Sequence, residues 1–573
     1  MRFRLIRPTV PSTLHLYTGM SYSRPVREGI EGAHFDVAII GGGINGVAIA
    51  RECALAGRRV LLAEKHDFAS GTTSRSTRII HGGLRYLEHG DIGLVRESLR
   101  ERERLLKERP HLVRPMDFVL ALPTHGIKRS ALAIRLGLWL YRHGAGARAS
   151  TLRTELAKFE ANLDRGLHLS LFSYEDAQCE YPERLVAEWV SEALQSGAVL
   201  RNYTQALEIV VHEGKARGLR VRDALNSDEF EISADWVVNA SGPWADEVLH
   251  SSELVQQRLI GGVRGSHIVL PVFEGAPAHA LYTEASDRRP VFVIPWAGQI
   301  LAGTTEVPQE ETPDNAEPTP AETAYLLNAV RRLYPHAGIA ASDIRYSYAG
   351  VRPLPYRPNE SLSVISRRYL LHDHLENGVA GLISVVGGKL TTAAALARNC
   401  ARMMGIKAPE PRVTMAAAGA SAEIENTVAE WSRKISKIAG ISTRSASALA
   451  EWHGRRALCV ARMASKDEVL QRPLCMHSDH IVAEAVEAMQ QESAITLADI
   501  LLRRVPVALG ACWDDECSVT AAAGIGLALG WSERQQRTEL ESFIEERRRF
   551  LHPAAVTRLG PSLSESLFTQ RTC

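Results

Sequence analysis

The sequence predicts an α/β protein built on a doubly wound, dinucleotide-binding sheet, and three neighbouring features near its start predict it. An apolar run over residues 35–40 indicates a buried parallel strand. The run Gly41-Gly42-Gly43-Ile44-Asn45-Gly46 follows it and opens an alanine-rich helix over residues 44–56. A second apolar strand then ends at Glu64. Strand, glycine loop, helix, strand and terminal carboxylate together are typical of a dinucleotide site.

Three glycines of this loop each have a steric reason. Gly41 permits the tight turn, Gly43 lets the backbone approach a pyrophosphate, and Gly46 lets the helix pack closely on the strand. The pyrophosphate would meet the positive end of the helix dipole, and Glu64 would accept hydrogen bonds from a ribose. A glycine-rich structural turn is the alternative, and the strand–helix–strand context favours the dinucleotide site over it.

The bulk composition excludes several classes of protein. The chain has 573 residues, enough for about three or four domains. It is 45% hydrophobic and 23% charged with a net charge of +1, which gives no electrostatic attraction to nucleic acid. Its eight cysteines are irregularly spaced, and the separation of Cys512 and Cys517 matches neither a redox pair nor a usual zinc spacing. We therefore expect reduced thiols, no metal site and, without an apolar run of about 18 residues, no membrane-spanning helix.

The first 34 residues differ from the rest of the chain. Up to Arg27 they contain five arginines and no acidic residue, as many transit peptides do. Prolines at positions 8, 11 and 25 interrupt any long amphipathic helix. We favour a disordered extension over a targeting sequence for residues 1–34.

Four later segments carry functional side chains. Residues 71–77 form a hydroxyl-rich loop suited to hydrogen bonding with phosphate or ribose, or else a plain polar turn. Residues 81–88 place a histidine, an arginine and a tyrosine beside two glycines. Residues 235–244 predict a strand that returns to the first sheet and ends in a turn of small residues. In residues 384–392 a strand ends at two glycines, and Lys389 follows at a helix start, where an anion would bind favourably.

Two further segments, residues 264–270 and 291–296, predict strands of a second, mostly antiparallel sheet. Residues 94–107 predict a strongly charged amphipathic helix with a solvated face. From residue 421 to about 550 the pattern is helical, with alanine, leucine, glutamate and arginine dominant.

Taken together, these segments resemble the FAD-dependent glycerol-3-phosphate dehydrogenases, the respiratory enzymes that use FAD. The matching pieces, in family order, are GGGINGVAIARE, STRIIHGGLRYLEHG, VVNASGPW, RGSHIVLP, VFVIPW, GTTE, GVRPL and GGKLTT. They extend from Phe35 to about residue 405, and the tail is also similar to the family. The glycine fingerprint alone fits many enzymes, whereas HGGLRYLE with GVRPL and GGKLTT is specific.

The resemblance implies FAD as cofactor and a doubly wound FAD-binding (Rossmann-like) domain interleaved with an antiparallel-sheet substrate domain, followed by a C-terminal α-helical domain. The FAD-binding segments would be residues 35–110, 174–255 and 345–408, the substrate or cap segments 111–173 and 256–344, and the helical domain 409–573. The residues expected to bind FAD are Gly41, Gly42, Gly43, Ile44, Asn45, Gly46, Glu64, Lys65, Thr73, Ser74, Ser76, Ser241, Gly242, Gly388 and Leu390.

The implied substrate is sn-glycerol 3-phosphate, oxidised to dihydroxyacetone phosphate. The residues expected to bind it are Arg85, Tyr86, Arg352, Lys389 and Thr391, and Arg352 is also a catalytic candidate. Alcohol oxidation needs a proton acceptor, and histidine suits the role because its unperturbed pKa is about 6.5. His81 and His267 lie inside matching motifs, and the sequence leaves the choice between them open.

The family passes its electrons to the quinone pool, which implies peripheral membrane contact. We expect a location on the cytoplasmic face of a bacterial inner membrane or in the cytoplasm rather than in mitochondria, with a homodimer left open. Residues 129–143 are apolar with spaced arginines, and Trp139 and Tyr141 would suit the headgroup layer. The favoured alternative for this segment is a core helix.

Three departures from the family pattern leave the substrate less secure than the reaction. The chain has Glu180-Tyr181-Pro182-Glu183-Arg184-Leu185 where relatives show an acidic pair before Ala-Arg-Leu, which we expect to reshape the substrate pocket. It has Glu306 where aspartate is usual, and Ala393 where a larger residue is common. The alternatives are an oxidase using oxygen, a dehydrogenase of another polyol phosphate such as erythritol phosphate, and a non-catalytic flavin- or nucleotide-binding protein.

Overall fold

The computed structural model of the chain describes residues 29–84, 90–124, 134, 137–139, 141, 156–254, 257–362, 365–407 and 421–553. Arg85 and Tyr86, both predicted substrate ligands, lie outside these residues. So do most of the N-terminal extension and most of the segment 129–143.

The strands are β1 (His34–Ile40), β2 (Val60–Ala63), β3 (Ile79–Ile80), β4 (Val113–Pro123), β5 (Leu169–Cys179), β6 (Val199–Arg201), β7 (Thr204–His212), β8 (Lys215–Asp223), β9 (Glu229–Asn239), β10 (Ile260–Pro271), β11 (Ala280–Glu284), β12 (Pro290–Trp296), β13 (Gln299–Gly303), β14 (Val307–Pro308), β15 (Tyr346–Pro355), β16 (Leu370–Asp373) and β17 (Leu382–Val386).

The α-helices are α1 (Ile44–Leu55), α2 (Ile92–Glu108), α3 (Leu156–Ala161), α4 (Pro182–Gln195), α5 (Ala245–Ser251), α6 (Pro320–Leu333), α7 (Ala393–Met403), α8 (Ser421–Ala439), α9 (Thr443–His453), α10 (Ala457–Ala464), α11 (Glu468–Gln471), α12 (Val482–Gln491), α13 (Leu497–Asp499), α14 (Asp515–Leu529) and α15 (Glu533–Arg548). None of these described helices is long and apolar enough to cross a bilayer.

The first sheet carries the glycine loop and has the order β16-β17-β9-β1-β2-β6. From β17 to β6 its strands are parallel, and β16 is an antiparallel edge. The β7–β8 hairpin joins the sheet through β9. The predicted strand–helix–strand unit is confirmed, and the strand predicted to return to this sheet is β9, which pairs with β1. Helices α1, α4 and α7 pack together over one face, because the parallel strands are apolar on both faces.

The second sheet has the order β14-β10-β13-β12-β11-β4-β5-β3, with β15 also paired to β10. Only the β4–β11 pairing is parallel, so the prediction of a mostly antiparallel sheet is confirmed. Strand β15 lies within the segment 345–408 that we expected in the FAD-binding domain, yet it pairs along its whole length with β10. Through this pairing β10 and β15 lie side by side, and residues of both strands line a cavity that residues of the first sheet also line.

The tail is helical from α8 to α15, as predicted, and docks on both sheets. Its apolar core includes Trp296 and Leu301 from the second sheet. Buried ion pairs fix it to the first sheet: both oxygens of Asp67 accept from Arg504 at 2.7 Å, and Arg184 of α4 donates to Glu492 at 2.7 Å. Removing one partner of such a pair is costly, because the other charge then stays buried alone.

Candidate active site

A cavity of about 1670 Å³ is lined by residues of both sheets. It runs from the glycine loop after β1, past the loop 70–78, to β10, β15 and the turn after β17. Small-ligand pockets are usually about 300–1,000 Å³, so this one can hold a dinucleotide together with a small substrate.

The glycine loop is built as its sequence predicts. Gly41 adopts φ +102°, and a Cβ there would lie 2.7 Å from the carbonyl oxygen of Ala240. A Cβ on Gly46 would collide with the carbonyl of Gly41, so this glycine lets α1 pack on β1. Gly43 is different: a Cβ there would meet only the Thr73 hydroxyl at 3.4 Å, because the residue faces the cavity. As the N-cap of α1, Gly43 makes no side-chain hydrogen bond to the helix. The helix start is thus accessible to an anionic group.

Glu64 is held in place at the end of β2. One carboxylate oxygen accepts from the Gly42 amide at 2.6 Å and the other from the His66 amide at 2.8 Å. Burial raises the pKa of Glu64, and these two amides partly offset the effect. Each oxygen keeps a lone pair for a further donor such as a ribose hydroxyl.

Asn45 and Gly388 are in contact with each other on the cavity wall. The Asn45 side chain donates to the Gly387 carbonyl at 3.2 Å, and its Oδ1 is buried with no hydrogen-bond partner among the described residues. Gly388 adopts φ +93°, and a Cβ there would collide with the Asn45 amide. A buried polar atom without a partner is costly, and a bound ligand with a hydrogen-bond donor would satisfy it.

Most of the residues predicted to bind cofactor line this cavity. Those that do are Gly41, Gly43, Ile44, Asn45, Glu64, Lys65, Thr73, Ser76, Ser241, Gly242, Gly388 and Leu390. Gly42, Gly46 and Ser74 are not among the lining residues. A Cβ on Gly42 would collide with Phe68, and Ser74 is buried and donates to the Gly71 carbonyl at 3.2 Å. These three residues shape the loop from behind.

Lys65 already has partners in this structure. Its ammonium lies 2.9 Å from Asp314 and 4.4 Å from the centre of the Trp244 ring. Ser241 at the end of β9 donates to the Asn239 side chain at 2.6 Å. These contacts therefore hold the Lys65 and Ser241 side chains in position at the cavity wall.

His267 lies on β10 of the second sheet and lines the cavity. Its Nε2 is 2.9 Å from the Thr77 hydroxyl, and its ring stacks on Tyr348 at 5.0 Å. Burial, together with the nearby Arg352 and Arg78, lowers the pKa of His267 to about 3. The imidazole is thus neutral at physiological pH.

His81 directly follows β3 of the second sheet and lines the same cavity. Its amide donates to the Thr391 hydroxyl at 3.1 Å, and that hydroxyl lies 3.2 Å from the His81 carbonyl. Burial lowers the pKa of His81 to about 3, with Lys389 adding repulsion. The two candidate histidines therefore line one cavity, and both are neutral.

Lys389 stands in the turn after β17 and lines the cavity. Burial lowers its pKa to about 7, and the attraction of Asp176, Glu97 and Asp91 opposes that shift only in part. Its charge is therefore sensitive to pH near neutrality, and an anionic ligand would favour the protonated form.

Arg352 lies on β15 with its guanidinium over Gly265 of β10. It donates to the Thr305 carbonyl at 3.2 Å and to the Thr304 hydroxyl at 2.7 Å. A Cβ on Gly265 would collide with the guanidinium, so the glycine makes room for it. These contacts orient the side chain that the sequence analysis selected.

Sequence reasoning missed several charged residues of the wall, among them Asp176, Arg75 and Arg367. Asp176 on β5 accepts from Arg102 and Tyr141 at 2.6 and 2.9 Å and lines the cavity near Lys389. The helix predicted over 94–107 is thus not simply solvated, since its Arg102 is fully buried. Arg75 and Arg367 also line the cavity. Only position 75, inside the hydroxyl-rich loop, carried any signal.

Two of the three departures from the family pattern lie away from the cavity, so the expectation of a reshaped pocket wall at residues 180–185 is wrong. Glu183 pairs with the buried Arg78 at 3.0 Å, and Arg184 binds the C-terminal helices. Ala393 is fully buried at the start of α7. Glu306 does line the cavity, and it accepts from Arg367 at 2.8 Å. Glu306 therefore holds the cation of Arg367 in the cavity wall.

Residues 36–403 match the family described as FAD dependent oxidoreductase, and residues 413–536 match the C-terminal domain of alpha-glycerophosphate oxidase. The chain is 36% identical over 546 residues to a glycerol-3-phosphate dehydrogenase of Synechocystis sp., covering 90% of this chain and 97% of that one. It is 30% identical over 496 residues to the aerobic glycerol-3-phosphate dehydrogenase of Bacillus subtilis, covering 82% and 86%. It is 37% identical over 371 residues to the D-erythritol 1-phosphate dehydrogenase of Brucella abortus, covering 64% and 72%.

The fold is that of a solved structure, the glycerol-3-phosphate dehydrogenase of Bacillus halodurans complexed with FAD. The TM-score is 0.71 at 23% identity, covering 92% of this chain and 97% of that one. The predicted fold class, two sheets followed by a helical C-terminal part, is confirmed.

Proposed function

This chain belongs to the FAD-dependent glycerol-3-phosphate dehydrogenase family, and we propose on that premise that it oxidises sn-glycerol 3-phosphate to dihydroxyacetone phosphate and passes the electrons to quinone. The observation that carries the proposal is the convergence of His81, His267, Arg352 and Lys389 on one cavity with the glycine loop. A protein that only binds a nucleotide does not need two neutral imidazoles and two cations at the same site.

FAD is the cofactor, and it supplies the hydride acceptor when bound. Gly43 leaves room at the start of α1 for its pyrophosphate, and Glu64 is oriented to accept from its ribose. The buried Oδ1 of Asn45, which has no partner among the described residues, provides a further acceptor. These features fit the cofactor without requiring the loop to move.

The substrate phosphate is assigned to the cationic side chains of the wall. Arg352 offers a planar fork that can bind two phosphate oxygens, whereas Lys389 acts as a point charge. Arg367 adds a third cation, held by Glu306 at 2.8 Å. Arg85 and Tyr86 stay predicted ligands. A dianion bound by several fixed cations would be oriented with its alcohol carbon toward the cofactor.

The hydroxyl proton of the substrate goes to an imidazole. His81 and His267 are both neutral because burial lowers their pKa, so either can accept it. Substitution of each by asparagine separates them, since loss of the base lowers kcat by about 10²- to 10⁴-fold. The other variant should mainly raise KM.

The electron acceptor and the exact polyol phosphate are the finer parts of the proposal. The relatives compared above are named dehydrogenases, whereas the C-terminal family is named after an oxidase. Steady-state turnover of glycerol 3-phosphate with a quinone analogue, measured against turnover with oxygen, distinguishes them. Erythritol phosphate belongs in the same assay, because of the Brucella abortus relative. Faster turnover with oxygen than with the quinone analogue would refute the quinone assignment.

Arg352→Ala tests the substrate site directly. A charge-assisted hydrogen bond contributes about 1.5–3 kcal/mol, so kcat/KM for glycerol 3-phosphate should fall at least about tenfold. The FAD content should stay normal, and the loss for unphosphorylated glycerol should be much smaller. Arg222→Ala, in the exposed β7–β8 hairpin, is the matched control. Equal proportional losses for both substrates would show that Arg352 does not bind the phosphate.

Delivery of electrons to a lipid-soluble quinone implies contact with the membrane surface. In the described part of the segment 129–143, Leu138 packs against the core and Trp139 is 53% exposed. Trp139→Glu should therefore weaken sedimentation with anionic liposomes without unfolding the chain. Unchanged sedimentation would exclude this segment as the membrane contact.

A further inference from the structure

Three residues of the helical C-terminal part, none of which lines the cavity, bring possible metal-ligand atoms close together. The ligand atoms of Cys475, His477 and Cys517 all lie within 4.8 Å of one another. Cys475 and His477 stand in the connection between α11 and α12, and Cys517 is in the first turn of α14. Both thiols are buried and the histidine is exposed. None of the residues assigned to FAD or substrate is in this cluster.

A fourth ligand stands beside them. The Cys512 sulfur lies 3.8 Å from the carbonyl oxygen of His477, and the Cys517 sulfur lies 3.8 Å from the carbonyl oxygen of Cys512. Cys512 is exposed and is not one of the three residues whose ligand atoms lie within 4.8 Å, so its side chain would have to rotate to join them. The residues Cys475, His477, Cys512 and Cys517 are called the thiol cluster below.

We infer that the thiol cluster is a structural zinc site with a three-cysteine, one-histidine ligand set. Zinc prefers four tetrahedral ligands of this kind, with Zn–S bonds of about 2.3 Å and Zn–N bonds of about 2.0–2.1 Å. Those lengths place a ligand sulfur and a ligand nitrogen about 3.6 Å apart. The Cys517 sulfur and the His477 Nδ1 are 3.5 Å apart.

The local backbone fixes the position of one of these thiols. Asp514 caps α14 and accepts from the Cys517 amide at 2.8 Å, so Cys517 is held in the first turn of the helix beside His477. On binding zinc each ligating thiol releases one proton to solvent, and no oxidant or reductant is needed.

The expected role is to fix the loop that precedes α14. The carbonyls of Leu509, Gly510 and Ala511 accept hydrogen bonds from Gln299, Tyr346 and Arg345 of the second sheet, at 2.8 to 3.0 Å. Cys512 follows immediately. A metal joining this loop to the α11–α12 connection would hold the docking surface of the helices. It would act on stability rather than on the chemistry in the cavity.

The experiment measures metal on the full-length FAD-loaded protein, purified without a histidine tag or chelator. Elemental analysis should find about one zinc per chain. Cys475→Ser and Cys517→Ser should each lower zinc to below about a tenth of the wild-type content. Cys459→Ser is the matched control, since Cys459 is an exposed cysteine outside the thiol cluster. Cys512→Ser should lower the affinity for zinc if that thiol is the fourth ligand.

Two further measurements keep the inference testable if a variant fails to fold. Wild-type protein grown with cobalt should show the intense visible bands of tetrahedral, thiolate-bound Co(II). Thiol titration in denaturant should find eight reactive cysteines. A metal-free wild type with eight thiols, a disulfide that removes two of them, or iron with inorganic sulfide in place of zinc would each overturn the inference.

Discussion

Lys389 is the group whose charge we expect to control activity at neutral pH. Burial lowers its pKa to about 7. The cation is therefore present below about pH 7 and is lost as the pH rises through that value. Its protonated fraction falls to about a tenth at pH 8 and to about a hundredth at pH 9. The second ionisation of a phosphate ester, at about pH 6, is roughly nine-tenths complete at pH 7, so above that pH the change in charge is mainly that of Lys389.

The profile of kcat/KM against pH reports ionisations of the free enzyme, so it should fall on the alkaline side from about pH 7. The full loss should be about 10- to 150-fold, the value of one charge-assisted hydrogen bond. Lys389→Met should start at the low level and show no alkaline fall. Lys389→Arg should keep its cation across the whole range, because an arginine stays protonated to above about pH 12.

The variants also give an internal check, because Lys389 helps to lower the pKa of His81. In Lys389→Met the acidic limb, if His81 is the base, should move to higher pH. The assay is the initial rate of dye or quinone-analogue reduction across the pH series, with FAD content measured for each variant. A wild-type profile that is flat from pH 7 to about pH 9, or an alkaline fall that persists in Lys389→Arg, would refute the assignment of this limb to Lys389.

Two further predictions concern the cofactor and the fold. Gly43→Leu should give a folded but colourless protein, because the side chain would enter the space of the pyrophosphate. Gly46→Leu should instead misfold, since its Cβ collides with the Gly41 carbonyl. Flavin absorbance and far-UV circular dichroism separate the two outcomes. Asp67→Asn should destabilise the folded chain by about 3–5 kcal/mol because Arg503 and Arg504 stay buried. Although burial alone would raise it, these two arginines lower the pKa of Asp67 to about 2, so the stabilisation is present above about pH 4 and is lost as the pH falls toward 2. Thermal unfolding at several pH values checks this, and an unchanged melting temperature in Asp67→Asn at pH 7 would contradict it.

The sequence by itself determined the features whose cause is local. The requirement for glycine at positions 41 and 46 depends on a turn and on the packing of a helix against it within a few residues, and the structure shows both. The reason given for Gly43, the approach of a pyrophosphate, stays a prediction. The apolar runs that end β1 and β9 and the whole of β2 are explained in the same way, because a stretch of strand buried on both faces must be apolar throughout. The motifs also selected Arg352 on β15 and Lys389 after β17, and both line the one cavity.

Only the tertiary structure decided which distant side chains share a wall. Asp176 stands in an ordinary strand sequence, and its effect on Lys389 follows from β5 and the turn after β17 meeting at the cavity. Residues 180–185 suggested a pocket wall, yet the fold uses them to bind the C-terminal helices through Arg184 and Glu492. The spacing of Cys512 and Cys517 gave no sign that Cys475 and His477 lie beside them, because those two residues are in a connection 35 or more residues earlier. Electrostatics and ligand geometry act through space, so pairings set by long-range packing leave no periodic pattern in the sequence.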